Sequence, residues 1–347
     1  MLTVLQVSYP FACVGAGAVG GAEQILGSLD AALVARGHRS LVLAPEGSTT
    51  RGELVALPPV PETVDPAARA FVHAAVRRAL ARVLAEQHVD VVHLHGIDFG
   101  DYLPDTPVPT LVTLHMSADH YPAGWAVRRA GVTLCCVSET QRRGFPSGGR
   151  DLALVPNGIP LDAFTPRFEP GDYVVCLGRV CEEKGYHFAL DAARRADLSL
   201  RLAGAVHPYE AHRRYFACEL SPRLDARRTF IGAVEPTARG ALLAHARCLV
   251  VPSLVAETSC LVAMEALACC TPVVALDRGA LHEIVTPGVT GLLVQSPDAL
   301  ADALRAVVSI DRATCRRTAE ARFDARAMHD GYLRLYQHVA GAAQRAS

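Results

Sequence analysis

Long apolar runs are missing from this chain. None of the uninterrupted hydrophobic stretches in its 347 residues reaches bilayer length, so no spanning helix is expected. The opening "MLTVLQVS" lacks a basic region and a cleavage pattern, which argues against a secretory signal. Excess charge is missing too: 34 Lys and Arg face 35 Asp and Glu, a formal net charge of −1. With no long basic block, duplex nucleic acid has no footprint to bind. One local exception is "RAFVHAAVRRALAR", 69–82, a basic amphipathic helix candidate. At most it makes a peripheral contact with an anionic membrane, and a solvated domain face is the simpler reading. Metal-binding C-x-x-C spacing is also absent. The eleven cysteines are odd in number, and the neighbours Cys135-Cys136 and Cys269-Cys270 do not suit zinc. Reduced core thiols of a cytoplasmic protein are expected.

What is present is a rhythm. Half the residues are hydrophobic, enough for two domains of ordinary size, each with its own core. Strands are expected at Thr3–Ser8, Ser40–Ala44, Val89–His95, Thr110–His115, Thr133–Val137 and Ala153–Val155. Between the first two lies a helix over Ala22–Ala35, with Ile25, Leu26, Leu29 and Leu33 on one face. Asn157–Asp172, "NGIPLDAFTPRFEPGD", is dense in Pro and Gly and reads as an interdomain connection. The rhythm then restarts at Tyr173–Leu177, Ser199–Ala203, Thr229–Ile231, Cys248–Val251, Val273–Leu276 and Gly291–Val294. A helical tail over Thr314–Ala346 follows. Such alternation predicts an α/β chain of two doubly wound, Rossmann-like parallel sheets with a cleft between them. The expected divisions are 1–160, 161–325 and a C-terminal helix 326–347 packing back on the first domain.

Gly15-Ala-Gly17-Ala-Val-Gly20 spells the G-x-G-x-x-G of a dinucleotide turn, but "YPFACV" separates it from its strand. An NAD-dependent oxidoreductase is therefore disfavoured. The glycines read as a pliable loop, with Gly20-Gly21 closing on the helix near Ala22 and its amides suited to a diphosphate. A mobile surface loop without a ligand is the bland alternative.

The most telling segment runs from Ala256 to Val294. Glu257 stands ahead of an inward-packing helix and Glu265 lies within it, a costly burial unless it has a partner. Eight residues at helical rise separate the two acids by about 12 Å, with the amides of Thr258 to Leu261 against phosphates between them. The plain alternative is a dipole-capping acid plus a salt-bridged core acid. In "CLGRVCEEKGY", Arg179 follows a strand and Lys184 precedes a helix near Tyr186, so two cations stand where a diphosphate would leave.

Together these residues resemble the retaining glycosyltransferases of family GT4, which have the GT-B fold. The likeness spans Gly20-Gly21-Ala22-Glu23, "VHLHG", "LVTLH", "CVSET", "VPNGIP", "LGRVCEEKG" and the E-x7-E segment with "EALACCTPVVA". It implies that Glu257 touches the transferred sugar and Glu265 the ribose. Arg179 and Lys184 would bind the donor diphosphate, with Gly20 and Gly21 closing on it. His115 matches a histidine near the reacting sugar, Asn157 and Gly158 a turn near the cleft, and Gly232 to Val234 a segment beside the base. Thr258, Ser259, Cys260 and Leu261 complete the implied donor site. The first domain is then the acceptor side and the second the donor side. The implied reaction moves a hexosyl-type group from a nucleotide diphosphate-sugar, UDP favoured over GDP, to a small-molecule or glycan acceptor. No cofactor or metal takes part, and a same-face substitution is preferred to a covalent intermediate. A sugar-nucleotide epimerase or hydrolase, or a non-catalytic nucleotide-sugar binder, is the competing reading.

Two departures stand out. "CCTPVVA" has Cys270 where the family usually has glycine, expected to alter packing at the helix end. "ETSCL" has Cys260 in place of the glycine of E-x-F-G-L, expected to change phosphate geometry or sugar preference. His93 and His95 share one strand face near His115 and His120, and are read as cleft-lining or satisfied histidines rather than metal ligands.

Overall fold

The computed structural model describes residues 1–15, 17–18, 20–121, 130–207 and 209–346. The chain divides into two compact units, Met1–Pro156 with Ala327–Ser347, and Asn157–Arg326. Of the loops expected to shape an acceptor site, Tyr9–Ala18 and Met116–Trp125, residues 16 and 122–125 lie outside the described residues.

The first unit runs β1 (Thr3–Val7), α1 (Gly21–Ala35), β2 (Arg39–Pro45), β3 (Glu53–Leu57), α2 (Pro66–Glu86), β4 (Val91–Leu94), β5 (Thr110–Leu114), β6 (Val132–Cys136), α3 (Glu139–Arg143) and β7 (Ala153–Leu154). Its strands pair in the order β3-β2-β1-β4-β5-β6-β7, parallel throughout. Apolar residues fill both faces of the central strands, as a sheet covered on two sides requires, and Val4, Leu5, Val7, Val92 and Leu94 are all buried. β3 was not among the expected strands. It is an edge strand bounded by Gly52 and a Pro-Pro pair, too short for its alternation to stand out in sequence. α2 covers the basic stretch 69–82. Asp65 caps it by accepting from Ala68 N–H, Pro66 opens it, and Val72, Val76, Leu80 and Val83 face inward. Arg78 and Arg82 are exposed, Arg77 donates to Asp101 O, and the Arg69 guanidinium lies over the Phe11 ring.

The second unit runs β8 (Tyr173–Leu177), α4 (Tyr186–Arg195), β9 (Ser199–Ala203), α5 (Glu210–Tyr215), β10 (Arg228–Gly232), α6 (Pro236–Ala244), β11 (Ala246–Val251), α7 (Leu261–Ala268), β12 (Val273–Leu276), α8 (Leu281–Ile284), β13 (Gly291–Val294), α9 (Leu300–Ala306) and α10 (Arg312–Arg322). Its order is β10-β9-β8-β11-β12-β13, again all parallel. The Pro/Gly-rich stretch read as a connection is instead part of this unit, because Ile159, Leu161 and Phe164 are buried in its core. The tail is not one helix. It breaks at Phe323-Asp324, where Ile159 N–H donates to Phe323 O and Ala325 N–H donates to Ile159 O. α11 (Ala325–Ala346) follows, and its residues from Ala327 on belong to the first unit. All eleven cysteines are unpaired, and every one but Cys13 and Cys218 is buried. Among the described residues no helix is long and apolar enough to cross a membrane.

Candidate active site

In the second unit the strand order reverses at β8, which opens a crevice at the carboxyl ends of β8 and β11. Two segments meet there, 178–185 after β8 and 252–260 after β11. Gly185 has φ +63°, and a Cβ on it would lie 2.3 Å from Pro252 O, so the approach needs glycine. Leu254 N–H donates to Glu183 O at 2.8 Å and closes the contact.

Within that contact Lys184 Nζ donates to Glu257 Oε1 at 2.6 Å, and Ser253 Oγ donates to the same oxygen at 2.6 Å. Burial by itself pulls the ammonium down, but the charge and hydrogen bond of Glu257, with the neighbouring Cys260 and Cys181, together outweigh it and hold Lys184 above its ordinary 10.5. The Glu257 main chain is gripped from the loop after β12: Ala280 N–H donates to Glu257 O at 2.7 Å. Arg179, just past β8, is exposed, and among the described residues its guanidinium has no hydrogen-bond or ion-pair partner.

The two acids do not share a helix, contrary to the spacing argument. α7 begins only at Leu261, and Cys260 ahead of it has φ +43°, a left-handed turn that breaks any helical continuation from Glu257. The 12 Å axial separation therefore does not apply, and Thr258 to Cys260 precede the helix rather than open it. Cys260 has its thiol buried beside Glu257 and Lys184, and burial followed by the Glu257 charge pushes it far above its ordinary 9.0. Glu265 sits inside α7, buried, with Arg239 Nη2 of α6 at 3.0 Å from its Oε1. Burial raises the Glu265 carboxyl and Arg239 pulls it back. Asn157 Nδ2 donates to Ser259 Oγ at 2.8 Å, while Asn157 Oδ1 is buried with no partner among the described residues. Gly158 is packed against the Ala325 backbone, 2.8 Å from its Cα for an added Cβ, which gives it a structural reason to be glycine. Gly232 closes β10 at φ +75° and its carbonyl accepts from Gly204 N–H at 2.8 Å. Val234 packs, half-buried, against the core of this unit.

In the first unit β1 ends at Val7 and α1 begins at Gly21, so the G-x-G-x-x-G letters fall in a long loop and not in a strand-to-helix turn. Gly20 caps α1, and the Glu23 carboxylate folds back so closely that a Cβ on Gly20 would meet its Oε2 at 1.9 Å. His115 follows β5, half-buried, with Nε2 3.1 Å from His95 Nδ1. Burial lowers His115 to about 4 and holds His93 and His95 well below their ordinary 6.5. Among the described residues no group of three His, Cys, Asp or Glu side chains is arranged to hold a metal ion.

Two adjoining family models match this chain, "Glycosyltransferase Family 4" over residues 19–163 and "Glycosyl transferases group 1" over 161–323. The chain belongs to the family 4 glycosyltransferases. Among its relatives is the phosphatidyl-myo-inositol mannosyltransferase of Mycobacterium tuberculosis, 27% identical over 94% of this chain and 95% of that one. The fold is GT-B. Sucrose-phosphate synthase from Thermosynechococcus elongatus superposes with a TM-score of 0.81 at 22% identity, over 98% of this chain and all (100%) of that one. HepE of Anabaena, solved with UDP and glucose, does so with 0.74 at 17% identity, over 97% of this glycosyltransferase and 100% of its own chain.

Sequence reasoning about this glycosyltransferase passed over Ser253, Arg239 and the Gly279-Ala280 turn. Ser253 had a signal, since it directly follows Pro252, the first residue past β11, at the crevice. Arg239 had none, because its pairing with Glu265 is a tertiary contact between α6 and α7. The turn is the more consequential: Gly279 has φ +60°, and a Cβ there would lie 2.3 Å from Glu257 O and 2.4 Å from Glu257 N. Gly279→Ala is expected to displace the Glu257 backbone, costing about 2 kcal/mol of stability and most of the turnover. Urea unfolding and a steady-state assay check both, and a variant with wild-type values of each would show that the turn does not hold Glu257 in place.

Proposed function

We propose that this glycosyltransferase moves a hexosyl group from a nucleoside diphosphate-sugar, a UDP-sugar in preference to a GDP-sugar, to a small-molecule or glycan acceptor with retention at the anomeric carbon. The observation that carries the reading is Lys184 Nζ at 2.6 Å from Glu257 Oε1, at the carboxyl ends of β8 and β11. Charge gathers on the departing diphosphate, and cations fixed beforehand stabilise it most in the transition state. Arg179 and Lys184 supply that charge, and the amides of Thr258, Ser259, Cys260 and Leu261 add donors. Glu257 then accepts from hydroxyls of the transferred sugar, Glu265 faces the ribose, and Gly232 to Val234 lie beside the base. Because Lys184 and Ser253 both donate to Glu257 Oε1, this carboxylate is oriented to accept hydrogen bonds, which favours same-face substitution over attack by Glu257. His115 attends the transferred sugar. No metal is needed in this scheme. HepE, solved with UDP and glucose, supports the uridine choice, and the mannosyltransferase relative supports a hexosyl donor. The reading keeps the enzyme in the cytoplasm, where its eleven unpaired thiols stay reduced.

A thermal-shift comparison of UDP, GDP, ADP and NAD tests the donor. UDP is expected to give the largest stabilisation, about 2.7 kcal/mol at a hundredfold excess over its Kd, and NAD none. Sugars of the winning nucleotide are then assayed with and without acceptors. Turnover that needs no acceptor would make the enzyme a hydrolase or epimerase, and UDP binding without sugar release would leave a binding protein. A shift with NAD alone would return the oxidoreductase reading.

A further inference from the structure

Behind His115 the first unit holds a buried polar row that the reaction scheme does not use. His93 is fully buried, with Nδ1 2.7 Å from Tyr336 Oη and Nε2 2.7 Å from Thr113 Oγ1. Thr113 Oγ1 is in turn 3.0 Å from Tyr332 Oη. The His93 and His95 rings lie with centroids 3.9 Å apart, and His95 stacks on His115 at 5.3 Å and 22°. His95 is 2% exposed, and its two nitrogens differ: Nδ1 faces His115 Nε2, while Nε2 has no partner among the described residues.

We propose that His95 is a positioning residue that donates from Nδ1 to His115 Nε2 and so fixes His115 in the tautomer that carries its proton on Nδ1. The facing nitrogens of two neutral imidazoles share one proton, and the hydrogen bond at one nitrogen sets the state of the other. Burial and mutual proximity keep these imidazoles neutral. If the shared proton sat on His115 Nε2, His95 would carry its own on Nε2, a buried N–H with no acceptor among the described residues, which folded proteins seldom leave. The opposite arrangement leaves only a bare lone pair there. Tyr336 and Thr113 hold the His93 ring, and its close, tilted contact with His95 passes that constraint on, so the donor is fixed in direction as well as in tautomer. The catalytic consequence rests on the proposed placement of His115 at the transferred sugar: there it donates a hydrogen bond from Nδ1 and is not a general base.

The experiment uses full-length enzyme labelled with ¹⁵N at histidine, as wild type, His95→Asn and His95→Leu, with His115→Ala assayed alongside. Asparagine keeps an N–H near the Nδ1 position, and leucine keeps the volume without a donor. Long-range ¹H–¹⁵N spectra are expected to show the Nδ1–H tautomer of His115 in wild type and in His95→Asn. In His95→Leu they should show the Nε2–H form that free imidazole side chains prefer. Turnover should fall about tenfold or more in His95→Leu, with KM for the donor unchanged, and recover in His95→Asn. The Nε2–H tautomer in wild type, or one unchanged in His95→Leu, overturns the proposal. Full turnover in His115→Ala overturns the placement of His115 at the sugar, and with it the catalytic consequence, whatever tautomer the spectra report.

Discussion

Lys184→Met is expected to lower turnover about 10²–10³-fold, the cost of losing a fixed donor aimed at developing charge. The same substitution strands a carboxylate, since the Glu257 side chain is 10% exposed and, among the described residues, keeps only Ser253 as a side-chain donor. Leaving a group so buried without its partner should also cost about 2 kcal/mol of stability. A second substitution separates the two effects. In Lys184→Met with Glu257→Gln no charge is stranded, so stability should largely return while turnover stays low. In the wild type the stabilisation from this pair is complete below 10.5, the ordinary lysine value, and fades as pH climbs through the raised one. Stability through the neutral range should therefore not depend on Lys184 titration. If the double variant regains turnover along with stability, the ammonium is a structural strut and the donor-site reading loses its main support.

The alternation of apolar runs with helical periods was enough to locate the expected strands to within two residues, because strands covered on both faces are nearly continuous in Val, Leu and Ile. β3 escaped, since an edge strand of five residues carries little of that signal. Positive φ is what made Glu257 and Glu265 hard to place. Sequence spacing assumes one backbone state, and a cysteine does not announce a left-handed turn. Yet Cys260 and Cys270, the two departures from the family's glycines, sit at φ +43° and +66°. An L residue in that region costs about 1–2 kcal/mol, so the usual glycine has a backbone reason, and here thiols bear the strain. The Lys184–Glu257 meeting was foreshadowed only as two motifs in one domain. Its geometry depends on Gly185 and Gly279, each letting one segment of main chain lie against another. The tyrosines behind His93 gave no local hint, because they come from α11, far along the chain.

Arg312→Met is the substitution expected to weaken the second unit most. Arg312 is 6% exposed and opens α10, where Asp311 caps the helix by accepting from Ala313 and Thr314 N–H. Among the described residues no carboxylate meets its guanidinium. Instead Nε donates to Arg167 O at 3.0 Å, Nη1 to Ala246 O at 3.1 Å, and Nη2 to Ala244 O at 3.0 Å and Thr271 Oγ1 at 2.9 Å. These acceptors bind the end of α6, the start of β11 and the approach to β12 to a single side chain. Burial pulls the guanidinium below its ordinary 12.5, so the hydrogen bonds, and not a counter-charge, offset its desolvation. Methionine fills much of the space but leaves these carbonyls, and that of Arg247, without their donor. At the upper range for losing charged hydrogen bonds the change costs about 3 kcal/mol, or about 6–12 °C in the melting of a unit this size. Lysine should rescue little, because an ammonium cannot present a planar fork to acceptors on several sides. Calorimetry of the two variants decides the matter. A melting temperature within about 2 °C of wild type for Arg312→Met, less than the shift that 1 kcal/mol produces in a unit of this size, would mean that the carbonyls find other donors and that β11 is anchored elsewhere.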